Sequence, residues 1–125
     1  MTRTPEEVLK FKQELERRTK KFSVSVFRYL DMLPRKNSSK VIAYQLGRSA
    51  SSVGANYHEA NRAESMDDFV HKIGIALKEC SETLYWLEII CDLHPSSENA
   101  KLLLTECTEI LKILQTANRT MRRKK

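Results

Sequence analysis

Apolar residues in this chain return every three or four positions in four long runs, each bounded by residues that start or stop helices. The first run opens at Thr4-Pro5-Glu6-Glu7, which supplies an N-cap, a proline at the first helical position and a glutamate for a capping box. Phe11, Leu15, Phe22, Val26, Tyr29 and Leu33 follow at helical spacing until Pro34 ends the run. Ser38 or Ser39 is expected to cap a second helix reaching about Arg62. Ser65, with Asp67 and Asp68 in the first turn, opens a third that continues to about Leu93, where His94-Pro95 breaks it. Ser96 or Ser97 caps the fourth, which carries Leu103, Cys107, Ile110, Leu114 and Ala117. Val, Ile and Thr never cluster in an alternating run, so strands are not expected.

Helices of roughly 23 to 29 residues would be about 35 to 43 Å long. Short connections between them force antiparallel neighbours, so the pattern predicts an all-α, up-down-up-down four-helix bundle over residues 1–119. Residues 120–125 are expected to form a flexible basic tail. A chain of 125 residues is one domain and can build a core without metal or disulfide staples.

Two helices depart from a plain apolar stripe. In the second, Gln45, Ser49, Ser52 and Asn56 recur at core-like spacing beside Ile42, Leu46, Val53, Tyr57 and Ala60. A polar seam entering a buried face needs hydrogen-bonding partners or close backbone approach. In the third, Phe69, Ile73, Ala76, Leu77, Cys80, Leu84, Leu87 and Cys91 form the expected core stripe. Ile75, Trp86 and Ile89 fall nearly opposite, with Glu82 among them, and this second apolar ridge predicts an oligomer interface.

Charge changes the picture further. The net charge is +6, but residues 1–48 hold twelve Lys and Arg against five Asp and Glu. Residues 49–118 hold five against eleven, and residues 119–125 add five cations. Lys10, Arg17, Arg18, Lys20 and Lys21 concentrate charge on the first helix, and Arg35, Lys36 and Lys40 extend it. Such an asymmetry fits a nucleic-acid footprint, whose bland counterpart is a solvated helix face. The three cysteines, Cys80, Cys91 and Cys107, form no CxxC pair and fall on apolar helix faces, where they read as buried thiols. The longest stretch free of charged residues, Ser49 to His58, is far too short for a membrane span, and no apolar leader opens the chain. A reduced, cytoplasmic protein is expected.

The segments YQLGRSASSVGANYHEA and AESMDDFVHKIGIALKECSETLYWLE, with FSVSVFRYLDMLP before them, carry a resemblance that covers most of the chain. They closely resemble the bacterial four-helix-bundle family that includes proteins encoded in 23S ribosomal RNA intervening sequences. The accessory variability protein of diversity-generating retroelements is similar to this family. The matching positions are Gln45, Arg48, Ser49, Ser52, Gly54, Asn56, Glu59, Ser65, Phe69, Lys72, Glu79 and Glu82. The resemblance implies a homopentameric ring and no established enzyme activity. Through the accessory variability protein it implies nucleic acid and a reverse transcriptase as partners.

Catalytic constellations are poorly supplied. Di-iron bundles need two Glu-x-x-His motifs and two further glutamates, whereas this chain offers only Asp68-Phe-Val-His71. Neither His58 nor His94 follows a carboxylate by three residues. Helical-bundle nucleases of the higher-eukaryote and prokaryote nucleotide-binding class place Arg four to six residues before His. Here nine residues separate Arg48 from His58, and eight separate Arg62 from His71. No metal or cofactor is therefore expected, and no enzyme. Arg48, Glu59, Lys72, Glu79 and Glu82 read as inter-helix or inter-subunit ion pairs, with phosphate or peptide contact as the functional alternative. The expected protein is an oligomer that binds RNA or DNA through its basic first helix; a scaffold that binds only protein is the first alternative, and a ribonuclease or metalloenzyme the second. No sequence-reading module or aromatic stacking platform is legible in the chain.

Overall fold

The computed structural model describes residues 2–124, and every long apolar run becomes a helix. These are α1 (Pro5–Asp31), α2 (Asn37–Ala60), α3 (Met66–Leu93) and α4 (Glu98–Lys124). Among the described residues there is no strand. The N-terminal signals act as their chemistry requires. Thr4 Oγ1 accepts from the Glu7 amide at 3.1 Å, and Glu7 Oε1 accepts from the Thr4 amide at 3.3 Å, which closes the capping box. Ser65 accepts from the Asp68 amide at 3.0 Å, and Ser97 accepts from the Ala100 amide at 3.2 Å.

The start of α2 differs from expectation. Its N-cap is Lys36, which makes no side-chain cap bond, and Ser39 is buried inside the helix instead of capping it. The Lys36 carbonyl already accepts from the Lys40 amide at 3.1 Å, so the helix is under way before either serine. At the other end of the chain, α4 continues as helix to Lys124, past the boundary expected at residue 119.

The four helices form an antiparallel bundle in which each packs on its neighbour in sequence, while α1 and α4 meet least closely. Antiparallel order is visible in paired contacts. Glu16 on α1 meets Asn61 and Arg62 just past α2, while farther along α1 Ser23 donates to the Ala50 carbonyl at 3.2 Å. Leu46, Val53, Ile73, Leu87, Ile90, Ile110 and Leu114 fill the centre. Burying a side chain of this kind stabilises by about 1.5–3 kcal/mol. Cys80 and Cys107 meet across α3 and α4 with their sulfurs 3.9 Å apart, each thiol also facing the other's backbone carbonyl. That contact, and then burial, push the Cys107 thiol well up, which keeps it protonated and inert.

The core face of α3 is rotated from the expected stripe. Val70, Ile73, Ala76, Cys80, Thr83, Leu87 and Ile90 are buried, whereas Phe69, Leu77, Leu84 and Cys91 are half-buried. Thr83 explains the rotation. Its hydroxyl donates to Ser49 Oγ on α2 at 2.9 Å and also lies 2.7 Å from the Glu79 carbonyl, so a polar residue occupies the helix interface fully satisfied.

Ile75, Trp86 and Ile89 are all half-buried, and Trp86 and Ile89 pack against the core cluster, so only part of each is left outside the bundle. Packed closely on both α2 and α4, α3 buries a wider arc than a helix with one close neighbour. Its outward face exposes Tyr85.

Candidate nucleic-acid interface

One face of α1 packs on α2, another leans toward α4, and the third is left to solvent. A helical period of 3.6 residues puts Lys10, Arg17, Lys20, Lys21, Val24 and Arg28 on that third face. All six are exposed, and none of the five cations forms an ion pair among the described residues. The sequence reading found four of these cations and missed Arg28, which continues the stripe one turn beyond Val24.

Arg18 belongs elsewhere. It points toward α4, where Nε and Nη2 donate to the two carboxylate oxygens of Glu106 at 2.7 Å each. Nη2 also reaches Glu109 at 2.6 Å. The bond to Glu106 raises its pKa still further above the ordinary arginine value, so the side chain is fixed as a cation within a bidentate bridge. The expected role of Arg18 as a nucleic-acid contact is therefore replaced by that of a clasp between α1 and α4. On the helix residue 18 lies about 100° from Arg17 and about 160° from Lys20 but only about 60° from Lys21, so spacing alone does not part it from the stripe.

Arg35, Lys36 and Lys40 are exposed at the α1–α2 turn and the first turn of α2. That turn contains no acid, and Lys36 leaves the cap without a side-chain acceptor, so the positive end of α2 is uncompensated. The turn thus adds positive potential at one end of the α1 stripe.

Grooves run along both sides of the stripe. The one beside α4, about 870 Å³, is floored by Phe22, Tyr29 and Leu103 and edged by exposed Met32 and Leu102. The one beside α2, about 820 Å³, is edged by Arg17, Lys20 and His58 and floored by Ser51, Gly54 and Ala55. Glu16 also lies there, but its charge is occupied. Arg62 and Asn61 donate to it at 2.8 and 2.9 Å, His58 Nδ1 stands 3.7 Å away, and the Arg62 bond holds its carboxyl below the ordinary range.

The polar positions of α2 and α3 form a separate seam. Arg48 bridges Glu79 at 3.3 Å and Glu82 at 2.5 Å, and Trp86 Nε1 donates to the same Glu82 at 3.2 Å. Hydrogen bonding to Arg48 lowers the Glu82 carboxyl and raises the Arg48 guanidinium. Lys72 meets Glu59 at 3.4 Å. These five residues are thus arranged as inter-helix pairs. Of the remaining seam residues, Ser49 bonds across to Thr83, Asn56 donates locally to the Ser52 carbonyl at 2.8 Å, and Gln45 is half-buried. Thr83 is the partner that sequence reasoning missed. His58 and His71 are both exposed, and among the described residues no group of three or more His, Cys, Asp or Glu is placed to hold a metal ion. Among those residues, too, no helix is long and apolar enough to cross a membrane.

Fold and seam together define a class of small antiparallel four-helix bundles whose second and third helices are joined by buried hydroxyls and ion pairs. Residues 12–116 match the family model described as 23S rRNA-intervening sequence protein, and the chain belongs to that family. It is similar to a crystal structure from Bacteroides thetaiotaomicron, a protein with unknown function from the S23 ribosomal protein family. The two are 32% identical with a TM-score of 0.76, over 83% of this chain and 97% of the other. No curated protein matches the chain.

Proposed function

We propose that this protein is a non-enzymatic, oligomeric bundle that binds RNA or DNA through the outward face of α1, as an accessory factor in a ribonucleoprotein. The observation that carries the reading is the stripe Lys10, Arg17, Lys20, Lys21 and Arg28, exposed and without carboxylate partners among the described residues. The cations at the α1–α2 turn extend it, while the acidic residues between 49 and 118 belong mainly to the other helices. Spatial separation of charge gives a positive surface that polyanions find even when net charge is modest. Assembly into a ring, with five subunits the count that the family resemblance implies, would repeat this face and convert modest contacts into avidity. A reverse transcriptase is the protein partner which that resemblance suggests. The half-buried Ile75, Trp86 and Ile89 remain the proposed seat of a neighbouring subunit.

Filter binding at low salt tests the reading. Wild-type protein should retain RNA or DNA, and a variant with Arg17, Lys20 and Lys21 changed to Glu should lose retention while its helical content and melting temperature stay unchanged. Absence of retention by the wild type at low salt would leave the stripe a solvated surface and favour a scaffold that binds only protein.

A further inference from the structure

We infer that the nucleic acid held by α1 is single-stranded, its bases stacking on the exposed rings of Phe27 and Tyr44 where the α1–α2 groove ends. The inference rests on the polyanion-binding reading and adds to it the form of the ligand.

Two features at the groove select for unpaired bases. The first is an aromatic ring. Phe27 lies on α1 seven residues after Lys20, and its Cε1 is 3.1 Å from where a Cβ on Gly47 would sit. A Cβ at 47 would crowd the ring by a few tenths of an ångström, and glycine lets the ring lie close against α2. Phe27 lies there and still exposes 47% of its surface. The second is Tyr44, which does not line the groove itself but lies on α2 one helical turn before Gly47 and is 69% exposed. Among the described residues it makes no hydrogen bond or ring contact, so its face is available.

Cations stand where a backbone would run. Arg17 and Lys20 edge the groove that Phe27 closes, and the floor of Ser51, Gly54 and Ala55 leaves room for a chain to lie between the helices. From Arg17 to Phe27 is ten residues, about 15 Å of helix, enough for a few nucleotides. Groove cations tracking phosphates beside aromatic rings that accept any base are the usual parts of a single-strand site. A duplex would offer its phosphates to Arg17 and Lys20 but hide its base faces from both rings. The carboxylate in the groove, Glu16, is paired with Arg62 and also accepts from Asn61.

Fluorescence anisotropy with the full-length protein and a labelled 12-nucleotide oligouridine, set against a duplex RNA of equal length, decides the matter. The single strand should bind at least ten-fold more tightly. Tyr44→Ala should weaken it about five-fold or more, as loss of one stacked base requires, without changing the salt slope. Tyr44→Trp should retain affinity, and Lys20→Ala should flatten the slope. Because Tyr44 lies on the surface, its variants should fold as the wild type does, which circular dichroism confirms. Equal affinity for duplex and single strand, or unchanged binding by Tyr44→Ala, would overturn this inference and leave polyanion binding standing. Failure of both nucleic acids to bind would overturn both.

Discussion

Arg17 and Arg18 are neighbours in sequence with opposite employment. One peptide step turns a helix by 100°, which sends Arg17 to solvent and Arg18 onto Glu106 and Glu109. Exposed ion pairs contribute little as a rule, but a bidentate bridge shared with a second carboxylate is the geometry in which they count. Arg18→Ala should therefore lower stability by about 1 kcal/mol, and Arg17→Ala should change it by less than about 0.5 kcal/mol, in urea denaturation. Nucleic-acid affinity should respond in the opposite order. The cluster of cations was legible in the sequence. Their division into clasp and stripe was not, because it depends on which side of α1 the fourth helix occupies. Thr83 was missed for a related reason: an apolar wheel does not score a threonine, and its burial becomes favourable only with Ser49 opposite and the Glu79 carbonyl beside it.

At the scale of the helices, prolines and capping residues placed α1, α3 and α4 within a residue or two of their observed starts. The start of α2 was misjudged because its N-cap is a lysine, which supplies no side-chain signal to read. The seams around α2 have a testable pH dependence. Glu16 is lowered mainly by Arg62 and Glu82 mainly by Arg48, both from an ordinary carboxylate value of 4.5. A carboxyl depressed in the folded state stabilises the protein fully above its unfolded pKa, and that contribution is lost as pH falls through the folded value. Stability should thus be flat above about pH 5.5 and decline below about pH 4.5. Replacing Arg48 and Arg62 together with Met should make the decline shallower, measured as urea midpoints between pH 3 and 7. An acid limb as steep in the double variant as in the wild type would detach these pairs from stability.

The whole molecule is a bundle in which the outward face of α1 is left unclaimed by its own packing. α2 and α3 are joined by hydroxyls and ion pairs, α3 and α4 by a core that includes two facing cysteines, and α1 is fastened at Glu16, Ser23 and Arg18. Its outward side carries the stripe. Helical class and bundle topology were readable from periodicity alone, whereas the grooves beside α1 and the seating of Phe27 on Gly47 arise only when helices pack. The central claim is that this face releases counterions when it meets a polyanion. The most direct measurement is affinity for a single-stranded RNA between 50 and 300 mM salt. The expected result is a linear fall of log K with log salt, with a slope near −0.7 for each phosphate engaged. That slope should become shallower by about 0.7 for each of Arg17, Lys20 and Lys21 changed to Ala. A slope near zero, or one that all three substitutions leave unchanged, would contradict the account.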